Sequence, residues 1–255
     1  MIDWKIMKEV DNVTTESLWI SPLCKDDLKF EIPQRKLFKD WDRSFHGLFI
    51  PEIPYQFILR FARESGWIWD CFAGGGTTFY VAKLLGCSNR LVCNDIASKE
   101  EDVIQADTRT FDPTLYTQGS LIRLVFFHPP YFNIIKFSDE EGDLCNCPSL
   151  ETYYDEINTV IKNVSTYVEE NGFVILVCGN IWYKGEEIDL GVQVKELFRS
   201  VGFKNKSHII KDYGETKAKG NGYNLQYYRN LKNDTNFFYG DNIFVLKKGK
   251  REKDD

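Results

Sequence analysis

The chain has 255 residues, 43% hydrophobic and 15% aromatic, which suits one large globular domain or one domain with an insertion. Its formal net charge of −6 sets it apart from uniformly basic nucleic-acid binders, while leaving room for a local basic patch. There are seven cysteines, an odd number, several of them inside apolar runs (Cys71, Cys87, Cys93, Cys178), and no apolar run long enough to span a membrane. With no secretory leader pattern either, the expectation is a cytoplasmic protein with reduced thiols and no membrane contact.

Residues 1–45 mix aromatics and charges without a clear period and are expected to form an irregular N-terminal arm with short helices. Trp4, Trp19 and Trp41 argue against plain disorder there. His46–Tyr55 (HGLFIPEIPY) is a loop stiffened by Pro51 and Pro54. Tyr55, Ile58, Leu59 and Ala62 then recur at helical spacing and predict a helix of about three turns.

In the stretch Trp67–Thr78 (WIWDCFAGGGTT), an apolar run ends at Asp70, glycines 74–76 follow, and Thr77–Leu85 continues with a helical period. That order predicts buried strand, tight turn and helix start. Glycines at such a turn let a ligand approach the backbone, and the helix N-terminus adds exposed N–H groups. Arg90–Cys93 reads as the second strand and runs into Asn94-Asp95. Asp95 stands 21 positions after Gly74, where an acid can grip ribose hydroxyls.

Asp102–Ala106 predicts a short third strand ending at Asp107. Leu121–Phe127 (LIRLVFF) reads as a central parallel strand buried on both faces. It ends in His128-Pro129-Pro130-Tyr131, where two prolines take the chain out of the sheet. Ligands in open α/β sheets bind at the carboxyl ends of strands, so this loop and the glycine turn should share one edge. Phe132–Ser149 is a polar loop; its Cys145 and Cys147 lack a second pair, and no metal site is assigned. Leu150–Glu169 is an amphipathic helix closed by Asn171-Gly172, Phe173–Cys178 an apolar strand, and Gly191–Val201 a further helix. Lys204–Lys211 and Ile243–Lys247 predict an antiparallel pair at the sheet edge, with a long insertion at 212–241 between them and a charged tail at 249–255. Strands alternating with helices predict an α/β, doubly wound Rossmann-like fold, mostly parallel with an antiparallel edge strand.

FAGGGTT, the acid at the next strand end and His-Pro-Pro-Tyr together resemble the S-adenosylmethionine-dependent amino-methyltransferases of DNA. These modify N6 of adenine or N4 of cytosine and carry Asp, Asn or Ser before Pro-Pro-Tyr. The similarity covers residues 46–248, the expected methyltransferase domain, and includes GNIWYKGEEIDL at Gly179–Leu190 and NLQYYRNL at Asn224–Leu231. It implies S-adenosylmethionine as cofactor. Phe49, Ile50 and Pro51 would line its methionine end; Asp70, Phe72, Gly74, Gly76 and Thr77 would form the cofactor turn; Asp95 would take the ribose and Asp107 the adenine amino group. His128, Pro129, Pro130 and Tyr131 would form the catalytic loop.

An exocyclic base amine is a poor nucleophile because its lone pair is delocalised into the ring. An acceptor beside the N–H and a backbone carbonyl in the Pro-Pro turn favour a pyramidal nitrogen with its lone pair free to attack. Tyr131 offers a ring face to a base that must leave the duplex to be reached. His128 is the departure from the pattern: neutral imidazole has one acceptor nitrogen and imidazolium none, so activity is expected to fall below about pH 6.5. His at this position leaves adenine or cytosine open as the target, adenine first. Lys217, Lys219, Tyr223, Tyr227 and Arg229 in the insertion interleave cations and aromatics as nucleic-acid contacts do. DNA is the expected partner, with a second copy or a partner subunit able to complete recognition. Methylation of an RNA base amine, and a non-catalytic subunit supporting an active partner, are the alternatives.

Overall fold

The computed structural model describes residues 18–20, 50–62, 65–212, 231–232 and 240–249. Phe49, Lys217, Lys219, Tyr223, Tyr227 and Arg229, most of the N-terminal arm and most of the tail lie outside the described residues.

In chain order the strands are β1 (Leu18–Ile20), β2 (Trp67–Asp70), β3 (Leu91–Asp95), β4 (Ile104–Gln105), β5 (Ile122–Phe127), β6 (Val168–Cys178), β7 (Ile181–Tyr183), β8 (Glu186–Ile188), β9 (Phe203–Asp212) and β10 (Gly240–Lys248). The helices are α1 (Glu52–Phe57), α2 (Thr77–Leu84), α3 (Leu150–Tyr167) and α4 (Leu190–Ser200). Eight strands form one sheet in the order β1-β9-β10-β6-β5-β2-β3-β4, and β7–β8 is a separate hairpin. All neighbours pair in parallel except β10, which is antiparallel to both β6 and β9. The chain steps outward from β2 to β4, then returns to β5 on the other side of β2. The order therefore reverses between β2 and β5, where a doubly wound sheet opens its ligand crevice.

The side chains of β5 alternate between two cores, which is why the strand is apolar along its length. Val125 and Phe127 join Tyr153, Ile157 and Ile161 of α3 and Val194 and Phe198 of α4 on one face. Leu124 and Phe126 join Ile53 and Phe57 of α1 and Val81 and Ala82 of α2 on the other. Each such side chain contributes about 1.5–3 kcal/mol by leaving water. Arg123 is the polar exception, buried near the start of β5. It donates to the Phe61 carbonyl (3.2 Å), Glu169 (2.9 Å) and the Asn171 carbonyl (2.9 Å), with its guanidinium over the Phe173 ring.

Four local expectations change. The arm contributes β1, which pairs with Ile210–Asp212 and extends the edge beyond β9. The helix from Glu52 widens to a π-helical turn over Ile58–Ala62, where Arg123 draws on the Phe61 carbonyl. The third strand shrinks to Ile104–Gln105. Helix α3 gives way to β6 at Val168 rather than at Asn171-Gly172, and Asn171 itself sits in β6 at φ 62°. No helix among the described residues is long and apolar enough to cross a membrane.

Candidate active site

A cavity of about 180 Å³ opens at the carboxyl edge of the sheet, at the β2/β5 switch point. Phe72, Gly74 and Thr77 line it from the turn after β2, Asp95 from the end of β3, Asp107 from just beyond β4, and His128–Tyr131 from the loop after β5. Ile134, Ile135, Phe137 and Leu144 of the following loop close its outer side.

The glycine turn is fixed by its neighbours. Gly74 and Gly76 sit at φ 49° and 74°, and Gly76 is the left-handed N-cap of α2, a conformation that strains residues with a Cβ. Gly74 donates its N–H to Asp95 (2.9 Å) and accepts from the Ser98 hydroxyl (2.7 Å). Asp95 also accepts from the Ala97 N–H (2.9 Å); burial raises its pKa and these two N–H donors oppose the rise. Thr77, in the first turn of α2, is buried, and its hydroxyl oxygen has no hydrogen-bond partner among the described residues.

Asp70 lies beneath the turn and is not on the cavity wall. It accepts from the Thr78 hydroxyl (2.5 Å) and the Phe72 N–H (3.3 Å), and burial lifts its pKa to about 7. Its place is that of a tie between turn and helix. Gly76 acts through backbone shape, and Ile50 and Pro51 stand at the start of α1, also off the cavity wall. Asp107 differs from an open carboxylate: Oδ1 accepts from the backbone N (2.9 Å) and Nε (3.0 Å) of Arg109, and Oδ2 from Nε (2.9 Å) and Nη2 (2.5 Å). Arg109 also pairs with Glu156 of α3 and donates to the Gly142 carbonyl (3.2 Å), pinning the outer loop. The carboxylate that the family resemblance sets against the adenine amino group is thus committed to Arg109.

A buried polar knot holds these strand ends together. The fully buried Asn94 accepts from the Trp69 indole N–H (2.7 Å) and donates to the Ala106 carbonyl (3.1 Å) and the Thr108 hydroxyl (2.8 Å). Thr108 passes its own proton to the Cys71 carbonyl (2.6 Å). One side chain thereby registers the exits of β2, β3 and β4. The sequence pattern ends the strand at Cys93 and leaves Asn94 beyond it; in the structure the strand runs to Asp95 and Asn94 is a satisfied buried amide within it.

The Pro130 carbonyl accepts from the Phe132 N–H (2.9 Å) and from the hydroxyl of fully buried Tyr153 on α3 (2.8 Å). Both lone pairs of the Pro130 carbonyl are then engaged within the protein. The Tyr131 hydroxyl lies 3.1 Å from His128 Nε2 and 3.1 Å from Asp241 at the start of β10. Asp241 pairs with Lys211 of β9 (2.6 Å). Gly179, after β6, lets this loop pack: a Cβ there would lie 2.9 Å from the Tyr131 ring and 3.2 Å from Asp241. Burial moves the His128 pKa down to about 4, with nearby Asp241 opposing the fall. The acid limit expected at pH 6.5 therefore moves to about pH 4, and the ring is neutral at pH 7.

No protein-family model and no curated protein matches the chain. Among solved structures it is similar to TrmN from Thermus thermophilus, at 14% identity and TM-score 0.46 over 78% of this chain; it spans about half, 49%, of that protein. It is similar to the O-methyltransferase of a trans-AT PKS multienzyme from Brevibacillus brevis in complex with S-adenosyl-L-homocysteine, at 13% identity and TM-score 0.47, over 78% of this chain and 72% of that one. It is also similar to the N-methyltransferase NodS from Bradyrhizobium japonicum WM9, again with S-adenosyl-L-homocysteine, at 10% identity and TM-score 0.43, over 77% of this chain and 86% of that one. At these scores and identities each is a likeness, and no residue role is carried over from it.

Proposed function

We propose that the chain is an S-adenosylmethionine-dependent methyltransferase acting on an exocyclic base amine of DNA, N6 of adenine ahead of N4 of cytosine. The observation that carries this reading is one cavity lined both by the glycine turn with Asp95 and by His128–Tyr131. The residues on the cofactor side suit a nucleoside carrying a charged amino-acid end. Asp95 keeps acceptor capacity beyond its backbone N–H bonds for a ribose hydroxyl. Phe72, Ile96 and Leu144 give apolar wall for a purine, and the buried Thr77 hydroxyl supplies a hydrogen bond that the protein leaves unmade. Bound there, S-adenosylmethionine supplies an electrophilic methyl group.

The chain's own residues prepare the nucleophile. Neutral His128 accepts one N–H of the target amine and the Pro129 carbonyl accepts the other. Two fixed acceptors draw the nitrogen toward a pyramidal shape and localise its lone pair. The imidazole is also positioned to receive the proton that the methylated nitrogen must shed. Residues 46–248 form the catalytic unit under this reading, and the insertion at 212–241 supplies contacts to the nucleic acid.

The test is expression in a methylation-free host followed by mapping of modified bases by single-molecule sequencing. Purified protein is incubated in parallel with labelled cofactor and either DNA or RNA. Modified adenine or cytosine in a fixed sequence context supports the proposal. Label in RNA alone moves the substrate to RNA, and cofactor binding without transfer to either refutes an enzyme of this class.

A further inference from the structure

The loop between the His128–Tyr131 turn and α3 carries a further acid onto the cavity wall. Asp143 is 5% exposed and lines the cavity between Gly142 and Leu144. Arg109 brings it there. Its Nη2 donates to the Gly142 carbonyl at 3.2 Å, and a Cβ on Gly142, which sits at φ 90°, would run into that same nitrogen. The contact that seats the loop therefore sets Asp143, the next residue, beside the end of the cavity held by Asp107 and Arg109. On its other side Asp143 is near enough to Asp95 for its charge to push the Asp95 pKa up, behind the larger effect of burial. The loop is also tied to itself, since Asn146 Nδ2 donates to the carbonyls of Ser138 (3.1 Å) and Glu140 (3.2 Å).

A carboxylate offers about four acceptor positions. On Asp107 they are filled by Arg109: its backbone N–H and Nε meet Oδ1, and its Nε and Nη2 meet Oδ2. On Asp143 two are filled, Oδ1 by the Cys145 N–H at 3.0 Å and Oδ2 by the Ser138 hydroxyl at 2.6 Å. Arg109 directs its guanidinium to Asp107, Glu156 and Gly142 and not to Asp143. A buried carboxylate held by two neutral donors gains from one more N–H, and such a bond is among the stronger ones. Asp143 also adjoins Leu144 on the apolar wall available to a purine, so a donor on the edge of that ring would meet it.

We propose that Asp143, in place of Asp107, accepts the exocyclic amine of the cofactor's adenine, and that Arg109 makes the exchange by occupying one acid while seating the loop that carries the other. The proposal rests on the reading of this cavity as an S-adenosylmethionine site with Asp95 on the ribose. Adenine is then selected by a loop residue and not by a strand-end residue, so closing the outer wall and reading the base are one event. A purine with a carbonyl oxygen at the same ring position would set lone pairs against the Asp143 carboxylate and be rejected.

The experiment is isothermal titration of the full chain with S-adenosyl-L-homocysteine and with S-inosyl-L-homocysteine, which carries a carbonyl oxygen where adenine has its amine. The wild type is expected to bind the adenosyl ligand about tenfold or more tighter. Asp143→Asn keeps an oxygen for the Cys145 N–H and turns the other carboxylate oxygen into an N–H donor. It should weaken the adenosyl ligand about tenfold and leave the inosyl ligand unchanged or tighter, so that the preference disappears or inverts. Asp107→Asn disturbs Arg109 and the loop; it should weaken both ligands alike and keep their ratio near the wild-type value. A wild-type ratio in Asp143→Asn overturns the proposal, because a purely structural role for Asp143 moves both ligands together. A preference lost in Asp107→Asn and retained in Asp143→Asn returns the amine to Asp107 and overturns it as well. Equal binding of the two ligands by the wild type refutes the proposal alone, without recourse to a variant. Failure of the wild type to bind S-adenosyl-L-homocysteine at all refutes the cofactor reading and the proposal with it.

Discussion

Replacing Asn94 by Leu keeps the volume roughly constant and deletes the amide that joins three strand exits. The Trp69 indole N–H, on a residue 0% exposed, loses its 2.7 Å acceptor and has no water to turn to. An orphaned buried donor of this kind costs about 1–3 kcal/mol. The Thr108 hydroxyl loses a donor but keeps its bond to the Cys71 carbonyl, about 0.5–1 kcal/mol more. Ala106 is only half-buried, so solvent can replace the amide at its carbonyl at small cost. The burial of extra apolar surface by Leu returns about 1 kcal/mol, and the net loss should be about 0.5–3 kcal/mol. With a urea m-value of about 2–3 kcal/mol/M, the unfolding midpoint should fall by about 0.2–1.5 M. Isothermal titration with S-adenosylmethionine should show weaker binding as well, because Asp95 follows Asn94 directly and Thr108 follows Asp107. A midpoint indistinguishable from wild type, within about 0.1 M at unchanged m, would mean that the knot does not hold the strand ends together.

Two titrating groups with shifted pKa values, Asp70 and the half-buried His128, should impose opposite pH slopes on stability. Asp70, raised from 3.8 to about 7, binds a proton in the folded state that the unfolded state has lost, so stability falls as pH rises from about 4 to 7; Asp70→Asn should remove up to about 4 kcal/mol of that fall in urea titrations across this range. His128, lowered from 6.5 to about 4, remains neutral while the unfolded chain takes up a proton, so stability is lost as pH falls from about 6.5 to 4; His128→Asn should remove this limb and expose the Asp70 slope, and equal slopes in both variants would refute the assignment. Arg123→Met removes the guanidinium over Phe173 and leaves two backbone carbonyls without their donor, while the half-exposed Glu169 turns to solvent, and should lower the unfolding free energy by about 1–3 kcal/mol; a loss under about 0.5 kcal/mol would show the guanidinium to be dispensable. Gly179→Ala places a methyl 2.9 Å from the Tyr131 ring and should reduce kcat with little change in cofactor affinity, whereas an unchanged kcat would mean that the ring position does not matter.

Much of the sheet was legible because each buried strand is a short apolar run closed by a turn signal. LIRLVFF needed only its own seven residues to declare itself a strand buried on both faces, and the glycine turn and the two prolines fixed where β2 and β5 leave the sheet. The cavity residues at those exits followed from the rule that ligands meet a doubly wound sheet at its carboxyl edge. Local pattern fails where a partner lies far along the chain. Nothing in the arm marks Leu18–Ile20 as a strand, because its hydrogen bonds are to residues 210–212. Asp107 could be read only as a strand-end acid, because the bonds that Arg109, two residues on, makes to it and to Glu156 leave no mark in the local pattern.

The Lys211–Asp241 pair was hidden for the same reason, in sharper form. Thirty residues separate the two, and neither stands in a motif. Only the antiparallel insertion of β10 between β6 and β9 brings its first residues, rather than its last, to the carboxyl edge of the parallel strands. Had β10 run parallel, Asp241 would sit at the opposite edge of the sheet, and the cavity edge would receive Lys248 instead. One strand's direction therefore decides whether a carboxylate or a cation stands behind Tyr131. The charge beside the His128–Tyr131 loop thus depends on a topological choice made more than a hundred residues further along the chain.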